Sequence, residues 1–146
     1  MATCPFCEIN PQRNDVLHRY EHMYVMLSNP WLVEGHMLAI PNRHVEAPWE
    51  LTTDEDAQLQ LMVKAFQRSI VSLIAPWCDL RQNYRPTLPE SDEKVNHLHW
   101  HILPRRLYDR LYQECQVHES PIFQSQKFSP QEVASETKKY RRLFGL

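Results

Sequence analysis

Two short apolar runs mark the first third of the chain. Residues 24–27 are all apolar and are followed by the turn signal Asn29-Pro30, and a second apolar run over 37–40 ends at Pro41. Apolar runs bounded by turn residues are typical of β-strands. We therefore predict two antiparallel strands, one within residues 20–29 and one over 37–40.

The apolar spacing changes to steps of three and four after Thr52. Thr52 and Glu55 have the spacing of a capping box, and acidic residues 54–56 suit the positive end of a helix dipole. The apolar residues that follow at helical spacing are Leu59, Met62, Val63, Phe66, Ile70 and Leu73. This pattern predicts one long helix with a buried stripe, ended by Pro76.

The second half of the chain adds strands before a last helix. We predict a strand over Asp79 to Arg85 and a loop over 86–94, which contains two prolines and four charges. Residues 105–112 fit either a helix or an irregular arm. Ser129 and Pro130 suit the N-cap and first position of a final helix that runs to Leu143. Strands that follow one another without intervening helices predict an α+β fold with an antiparallel sheet.

Three histidines alternate with apolar residues in the run His97-Leu98-His99-Trp100-His101. On a β-strand this spacing places the histidines on one face and the apolar residues on the other. Burying three titratable rings in a row is costly unless each ring has a hydrogen-bond partner or a ligand. The row therefore indicates function, either nucleophilic attack by an imidazole or metal coordination.

This run, continued by Ile102-Leu103-Pro104-Arg105, resembles the signature of the histidine triad (HIT) family. The stretch Gly35 to His44, which reads GHMLAIPNRH, resembles the strand that precedes the long helix of that family, and Cys4-Pro5-Phe6-Cys7 resembles the start of many bacterial members. The resemblance covers roughly the first 105 residues. It implies the same α+β fold, and by analogy a homodimer in which two sheets join.

The resemblance also implies a mechanism for the histidine row. His99 is expected to attack the α-phosphorus of a nucleotide conjugate and form a nucleotidyl-histidine intermediate. His101 is expected to bind the phosphate and assist the leaving group, and His97 to orient the site or bind metal. His36 is expected to support the row from behind. The conjugate would be a phosphoramidate, a dinucleoside polyphosphate or a nucleotide sugar.

The chain departs from the family just before the triad. Family members commonly have a Gln followed by Ser or Thr there, whereas this chain has Glu93-Lys94. Lys94 can replace the missing donor with a cation. Hydrogen-bond donors for the phosphate can also come from Asn83, Thr87 or Ser91. The pair Glu93-Lys94 is equally consistent with a solvated loop edge.

Nucleoside recognition is expected near Asn29, judged by its position before Gly35-His36. The apolar residues Leu27 and Trp31 lie beside it in the sequence. Asn29-Pro30 is equally well explained as a turn.

Four residues suggest a metal site. In zinc-bearing relatives, an N-terminal C-x-x-C is completed by a His after the second strand and by the first His of the triad. Cys4, Cys7, His44 and His97 match those positions. The resemblance thus implies a structural zinc with a closed Cys2His2 ligand set. A reduced, empty pair or a Cys4–Cys7 disulfide are the alternatives.

Composition limits the remaining possibilities. With 146 residues, of which 42% are hydrophobic and 23% charged, the chain is predicted to form one domain over 1–146, with 106–146 as a C-terminal extension. A net charge of −2 with scattered basic residues does not favour nucleic-acid binding. No signal-like or membrane-spanning apolar run is present, so we expect a cytoplasmic protein that binds no membrane.

Three functions follow from these observations. The leading one is a nucleotide hydrolase or nucleotidyl transferase that acts through His99. The second is a nucleotide-binding module with weak or no catalysis. The third takes the histidines as ligands of a catalytic transition metal.

Overall fold

Five strands form one antiparallel sheet in the computed structural model, which describes residues 4–9, 16–91, 94–115 and 129–146. In chain order these strands are β1 Val16–Arg19, β2 Met23–Leu27, β3 Met37–Pro41, β4 Trp77–Gln82 and β5 Trp100–Arg105. Their order across the sheet is β1-β2-β3-β5-β4. Strand β5 therefore lies inside the sheet and brings the end of the histidine run with it.

One face of the sheet is covered by helix α1, Thr53–Leu73. The Thr52 hydroxyl accepts from the Glu55 amide and the Glu55 carboxylate accepts from the Thr52 amide, which confirms the predicted capping box. Leu59, Val63 and Ile70 are buried and pack with the sheet residues Met23, Val25, Ala39 and Ile102. This cluster is the main core.

The predicted stripe is wrong at its last position. Leu73 is 83% exposed, although it continues the helical spacing. The helix ends at Leu73, and the chain then turns into β4, which is an edge strand. The last turn of α1 packs on the sheet through Ile70 and leaves Leu73 in solvent.

The opposite face of the sheet carries a second apolar cluster. It consists of Tyr24, Met26, Leu38 and Ile40, with Phe6 and Ile9 of the N-terminal segment packed against it. Leu38 pairs with His101 across β3 and β5. Directly opposed residues of antiparallel strands share a face, so His101 lies on this second face, away from α1.

Strand bounds differ from the sequence prediction in three places. Strand β4 begins and ends earlier than the predicted 79–85, and β1 was not predicted. The prediction that the whole histidine row lies on a strand is wrong, because β5 begins at Trp100 and both His97 and His99 precede it. Burial does not alternate along the row either, since His97 and Leu98 are both 2% exposed and Ile102 and Leu103 are both fully buried.

The C-terminal part contains two described helices, α2 Arg110–Cys115 and α3 Pro130–Phe144. The chain divides into two compact units, with the boundary between Glu114 and Cys115. Helix α3 in the second unit begins with a Ser129–Glu132 capping box and ends at Gly145 in the left-handed conformation, as the sequence predicts. Within the described residues, none of the helices is both long and apolar enough to span a bilayer. The α+β fold is confirmed.

Candidate active site and metal centre

Four side chains from three parts of the sequence meet beside the sheet. Their ligand atoms, the sulfurs of Cys4 and Cys7 and one ring nitrogen each of His44 and His97, all lie within 4.8 Å of one another. Cys4 Sγ is 3.4 Å from His97 Nδ1, and Cys7 Sγ is 3.4 Å from His44 Nδ1 and 3.6 Å from His97 Nδ1.

These separations fit a tetrahedral metal site. Zn–S bonds of about 2.3 Å and Zn–N bonds of about 2.0–2.1 Å place sulfur and nitrogen about 3.5 Å apart around a tetrahedral ion. The three sulfur–nitrogen distances match this value. The donor set, two thiols and two imidazoles, is one that zinc commonly takes in structural sites. The four residues can therefore hold a metal ion.

The second ring nitrogen of His97 is also committed. Its Nε2 lies 3.0 Å from the Pro41 carbonyl oxygen at the end of β3. A carbonyl oxygen only accepts, so Nε2 carries the hydrogen and Nδ1 presents its lone pair to the cysteines. Hydrogen bonds of this kind orient metal-binding histidines. His97 precedes β5, which begins at Trp100, and its ring reaches both the Pro41 carbonyl and the cysteines.

An ion pair anchors the loop that carries His44. The Arg43 guanidinium donates to both Glu55 carboxylate oxygens, at 2.9 and 2.7 Å, and also to the Glu50 carbonyl. Arg43 holds the pKa of Glu55 at about 2, well below its usual value, so the carboxylate stays charged. The start of α1 is thereby tied to the residue before His44.

The three histidines of the row line a cavity of about 380 Å³. Residues that follow β4, the loop before the triad and Glu46 complete its wall. The other lining residues are Asn83, Tyr84, Arg85, Pro86, Leu88, Pro89, Ser91, Lys94, Val95 and Asn96. The cavity is the candidate active site.

The ring of His99 is held in one tautomer. Its Nδ1 lies 2.7 Å from the carbonyl oxygen of His97, so Nδ1 carries the hydrogen and donates. Burial lowers the pKa of His99, so the ring is neutral near pH 7. A neutral ring with hydrogen on Nδ1 has a lone pair on Nε2. His99 therefore has the form of a nucleophile.

A second chain of hydrogen bonds fixes His101. The Leu32 amide donates to His36 Nδ1 at 3.2 Å, and His36 Nε2 lies 2.9 Å from His101 Nδ1. Burial lowers the pKa of His36 to about 4 and that of His101 to about 3, so both rings are neutral. His36 then has its hydrogen on Nε2 and donates to His101. It follows that His101 carries its own hydrogen on Nε2, as a donor.

Gly35 makes this arrangement possible. Its φ of +75° lies in the left-handed region, and a Cβ at this position would approach Pro104 Cγ to 3.3 Å. Glycine is the residue that enters this conformation without a steric penalty. The turn at Gly35 leads directly into His36.

Phe6 connects the metal centre with the row. Its ring makes edge contacts with the rings of His97 and His99, at centroid distances of 5.8 and 5.3 Å. Its carbonyl accepts from the Tyr24 hydroxyl at 2.7 Å, which ties the Cys4–Cys7 segment to β2. The segment that carries the two cysteines thus also places a ring against His99.

The structure separates the predicted nucleotide-binding residues into two groups. Asn83 and Lys94 line the cavity. Thr87 and Asn29 are exposed and are not part of the described lining. Asn29 lies in the loop 28–36, which ends at His36. Glu93, the departure from the family pattern, lies outside the described residues.

Two of these side chains are oriented by neighbours. The Arg85 guanidinium donates to Asn83 Oδ1 at 3.4 Å, which leaves the amide nitrogen of Asn83 to donate elsewhere. The Lys94 ammonium donates to the Leu88 carbonyl at 2.6 Å and to the Asn96 side chain. Lys94 therefore also holds the loop before the triad in place.

Sequence reasoning missed Phe6, Glu46, Tyr84 and Arg85. In the sequence Phe6 stands out only as part of the C-x-x-C segment, and the others lie outside any motif. The prediction of a strand over Asp79 to Arg85 is wrong for Tyr84 and Arg85, because β4 ends at Gln82 and both follow it. Their position directly after a strand next to the triad is a signal visible only once the sheet order is known.

Comparisons with known proteins show the family of the chain. The family model described as HIT domain matches residues 10–107, which is more than half of the chain. The chain belongs to the HIT family. It is 26% identical to the nitrilase and fragile histidine triad fusion protein NitFhit of Caenorhabditis elegans, over 94% of this chain and 32% of that protein. The chain therefore spans about a third of the length of this curated relative.

Two solved structures illustrate the shared fold. A member of the HIT family from Bacillus subtilis superposes with a TM-score of 0.71 at 22% identity, covering 97% of this chain and 96% of that one. A Zn-bound histidine triad family protein from Mycobacterium smegmatis has a TM-score of 0.62 at 23% identity, covering 75% and 79%. The resemblance expected from the sequence is confirmed.

Proposed function

We propose that the chain is a nucleotide hydrolase or nucleotidyl transferase that cleaves a nucleotide conjugate at its α-phosphate through an intermediate on His99. The observation that carries this proposal is the hydrogen bond from His99 Nδ1 to the His97 carbonyl. It leaves the Nε2 lone pair for attack in a cavity that also holds a second, donating histidine.

In the first step, His99 Nε2 attacks the α-phosphorus and a phosphorus–nitrogen bond forms. The bond from phosphorus to the leaving group breaks while the His101 Nε2 hydrogen is donated in a hydrogen bond to the leaving atom, which departs with the electron pair and takes its proton from solvent. The His36 bond keeps that hydrogen on the required side of the His101 ring. His101 is thus the hydrogen-bond donor to the leaving group and His36 its positioning residue.

In the second step, water or another acceptor attacks the same phosphorus. The acceptor releases its proton to solvent, the phosphorus–nitrogen bond breaks with its electron pair returning to His99 Nε2, and His99 returns to its neutral form while His101 stays a hydrogen-bond donor. With water the product is a nucleoside monophosphate. With another acceptor the reaction is a transfer.

Charge on the phosphoryl oxygens requires donors during both steps. The amide nitrogen of Asn83 is one, because Arg85 occupies its oxygen. The Lys94 ammonium is another, since an ammonium has three donors and two of its partners are named above. Lys94 thus takes the role that a neutral side chain has in other family members.

We assign the metal site to zinc in a structural role. Four protein ligands fill a tetrahedral shell and leave no position for substrate or water. When bound, the metal cross-links the N-terminal segment to the start of β5. The nucleophile and the hydrogen-bond donors of the proposed reaction come from His99, His101 and the cavity wall, and not from the metal.

The nucleoside is assigned to the loop 28–36, next to His36 and His101. The Ser28 amide donates to the His36 carbonyl and the Leu32 amide to its ring, so this loop encloses His36. Leu27, Asn29 and Trp31 are exposed there. Asn29 is proposed to bind the ribose.

We also propose a homodimer, formed at the edge strand β4. Large apolar side chains are exposed together there, namely Leu73, Ile74, Trp77 and Leu107, and Arg106 joins them by donating to the Ile74 carbonyl. A second copy covers this patch and the free edge of the strand. Light scattering is expected to give twice the mass of the chain for wild type and a monomer for Leu73→Lys. A monomeric wild type at high concentration would exclude the dimer.

Steady-state turnover of an adenosine 5′-phosphoramidate tests the proposed activity. His99→Ala is expected to lose turnover by about 10⁴-fold or more while AMP binding is kept, because only the nucleophile is removed. His18→Ala, at an exposed histidine of β1, is the matched control and is expected to resemble wild type. Undiminished turnover in His99→Ala refutes the proposal. Saturable AMP binding without turnover by wild type supports the binding-module alternative instead.

A further inference from the structure

An exposed aromatic pair stands beside the cavity and has no role in the chemistry described so far. Trp49 belongs to a short 3-10 helix, Pro48–Glu50, and is 72% exposed, and Tyr84 follows β4 and is 44% exposed. Their ring centroids are 4.8 Å apart with an interplanar angle of 72°. Tyr84 lines the cavity. We call this pair the aromatic wall.

Core packing does not account for the aromatic wall. No residue of the 3-10 helix is buried, and the Trp49 indole leaves most of its surface in water. Tryptophan and tyrosine in such positions are enriched at binding sites, because they offer a large rigid face at little entropic cost. The edge contact with Trp49 holds the Tyr84 ring at the cavity.

The hydrogen bonds of the sheet show which end of the row the wall occupies. The Leu98 amide donates to the Val45 carbonyl at 2.6 Å, just before Glu46 and the 3-10 helix. On the other side, Gln82 pairs with Trp100, so Tyr84 lies beyond the start of β5. Residues on both flanks of 97–99 therefore build the wall.

The loop 28–36 occupies the opposite end of the row. His36 bonds to His101, and Gly35 approaches Pro104. For a phosphorus atom bound at His99, the proposed nucleoside loop thus lies on the Pro104 side. The aromatic wall lies on the His97 side. A substrate that spans the row places its nucleoside at one end and its leaving group at the other.

Charged groups accompany the wall. Arg85 and Glu46 line the same cavity. Arg85, together with Arg81 opposite His101, is close enough to contribute to the lowered pKa of His101, after burial and the neighbouring histidines. The leaving-group end therefore offers both a flat apolar face and polar groups at its rim.

We propose that Trp49 and Tyr84 form a subsite for the leaving group and select conjugates in which that group carries a flat ring. This inference rests on the proposed function, since it assigns the second half of the same substrate. The ligand class is a nucleoside monophosphate joined to an aromatic or heteroaromatic group. Tyr84 is the contacting residue, and Trp49 positions it and extends the face.

Two adenosine 5′-phosphoramidates provide the test, one of tryptamine and one of n-propylamine. Both leaving groups are primary alkylamines, so they differ chiefly in the ring. Wild type is expected to have a kcat/KM about 10-fold higher for the tryptamine compound, since stacking a ring is worth about 1–3 kcal/mol. Trp49→Ala and Tyr84→Ala are expected to lower kcat/KM for the tryptamine compound to the value for the propylamine compound, which removes the preference. Tyr84→Phe is expected to keep it.

Each variant contains its own folding control, because a misfolded protein loses both substrates together. If an alanine variant misfolds, Trp49→Phe and Tyr84→Phe keep an aromatic side chain at these positions. They then show whether the preference for the tryptamine compound depends on that side chain. Equal kcat/KM values for the two compounds in wild type overturn the subsite. Weaker binding of AMP itself to Trp49→Ala also overturns it, since the nucleoside ring would then occupy the wall.

Failure of the proposed function gives a different pattern. If wild type cleaves neither compound, the activity is wrong, and the subsite is then judged by equilibrium binding of the same two compounds. A ring-dependent affinity that Trp49→Ala removes supports the subsite. Equal affinities for both compounds refute it.

Discussion

Two neighbouring histidines of the row, His97 and His99, present opposite ring nitrogens. At His97 a backbone carbonyl takes the Nε2 hydrogen, so Nδ1 faces two cysteines. At His99 a backbone carbonyl takes the Nδ1 hydrogen, so Nε2 keeps its lone pair for the cavity. The difference shows that the main chain decides which ring nitrogen each histidine has available. His97 thereby offers a lone pair to the candidate metal site, and His99 offers one to the candidate active site.

The largest expected effect concerns the candidate metal site. Cys7→Ser and His97→Ala are expected to abolish stoichiometric zinc binding and to destabilise the fold by about 4 kcal/mol, the value for a ligand present at a thousand times its Kd. Metal analysis and thermal unfolding measure both effects. Thr52→Ala, which removes only the α1 cap, is the control and is expected to cost about 1 kcal/mol with zinc unchanged.

Removal of the metal with a chelator distinguishes a structural role of the metal site from a catalytic one. If the metal is structural, chelation lowers the unfolding temperature, and the protein that remains folded keeps its reaction rate. Loss of the chemical step at temperatures where the protein is folded, with return on adding metal, would support the transition-metal alternative.

The next largest effect concerns the bond that orients His101. His36→Ala is expected to lower kcat by about 10²-fold, since losing one oriented hydrogen-bond donor to the reacting atoms costs about 10²–10³-fold and His101 loses its orientation. The loss is expected for conjugates of strongly basic amines and is expected to disappear for a p-nitrophenyl ester of AMP. That leaving group departs without a proton, so equal losses with both substrates would contradict the assigned role of His36.

The smallest expected effect tests whether His97 and His99 are coupled. Phe6→Leu keeps both cysteines but removes the ring that contacts His97 and His99. We expect zinc content to be unchanged and kcat to fall about 10-fold, because small displacements of reacting groups are costly. Tyr24→Phe, which removes only the hydrogen bond to the Phe6 carbonyl, is the comparison variant. An unchanged kcat in Phe6→Leu would show that the two histidines act independently.

The sequence predicted the long helix and the members of the metal cluster better than it predicted the strands. The capping box at Thr52 and the Cys4, Cys7, His44 and His97 set depend on local spacing and family pattern, and both are found in the structure. The extent of β5 was not predictable, because alternation of apolar and polar residues is the same in an extended segment that leaves the sheet. The predicted burial of Leu73 is also wrong, since helical periodicity does not show which apolar position of a stripe is the last one to be buried.

The tautomers and the aromatic wall lay beyond sequence reasoning for a different reason. Each tautomer is set by a main-chain atom, such as the Leu32 amide or the Pro41 carbonyl, whose side chain gives no hint of the contact. Trp49 and Tyr84 are far apart in the sequence and meet because the segments that carry them flank residues 97–99. Family resemblance identified the candidate catalytic residues, and the sheet order was needed to describe their surroundings.

Intact-protein mass spectrometry tests the central claim most directly. Wild type and His99→Ala are mixed briefly with an adenosine 5′-phosphoramidate and quenched without acid, which preserves a phosphorus–nitrogen bond. The account predicts one adenylyl group on wild type, decaying as AMP appears, and none on His99→Ala. An adduct of equal size on His99→Ala, or AMP formation by wild type without any adduct when its decay is slow enough to observe, would contradict the role assigned to His99.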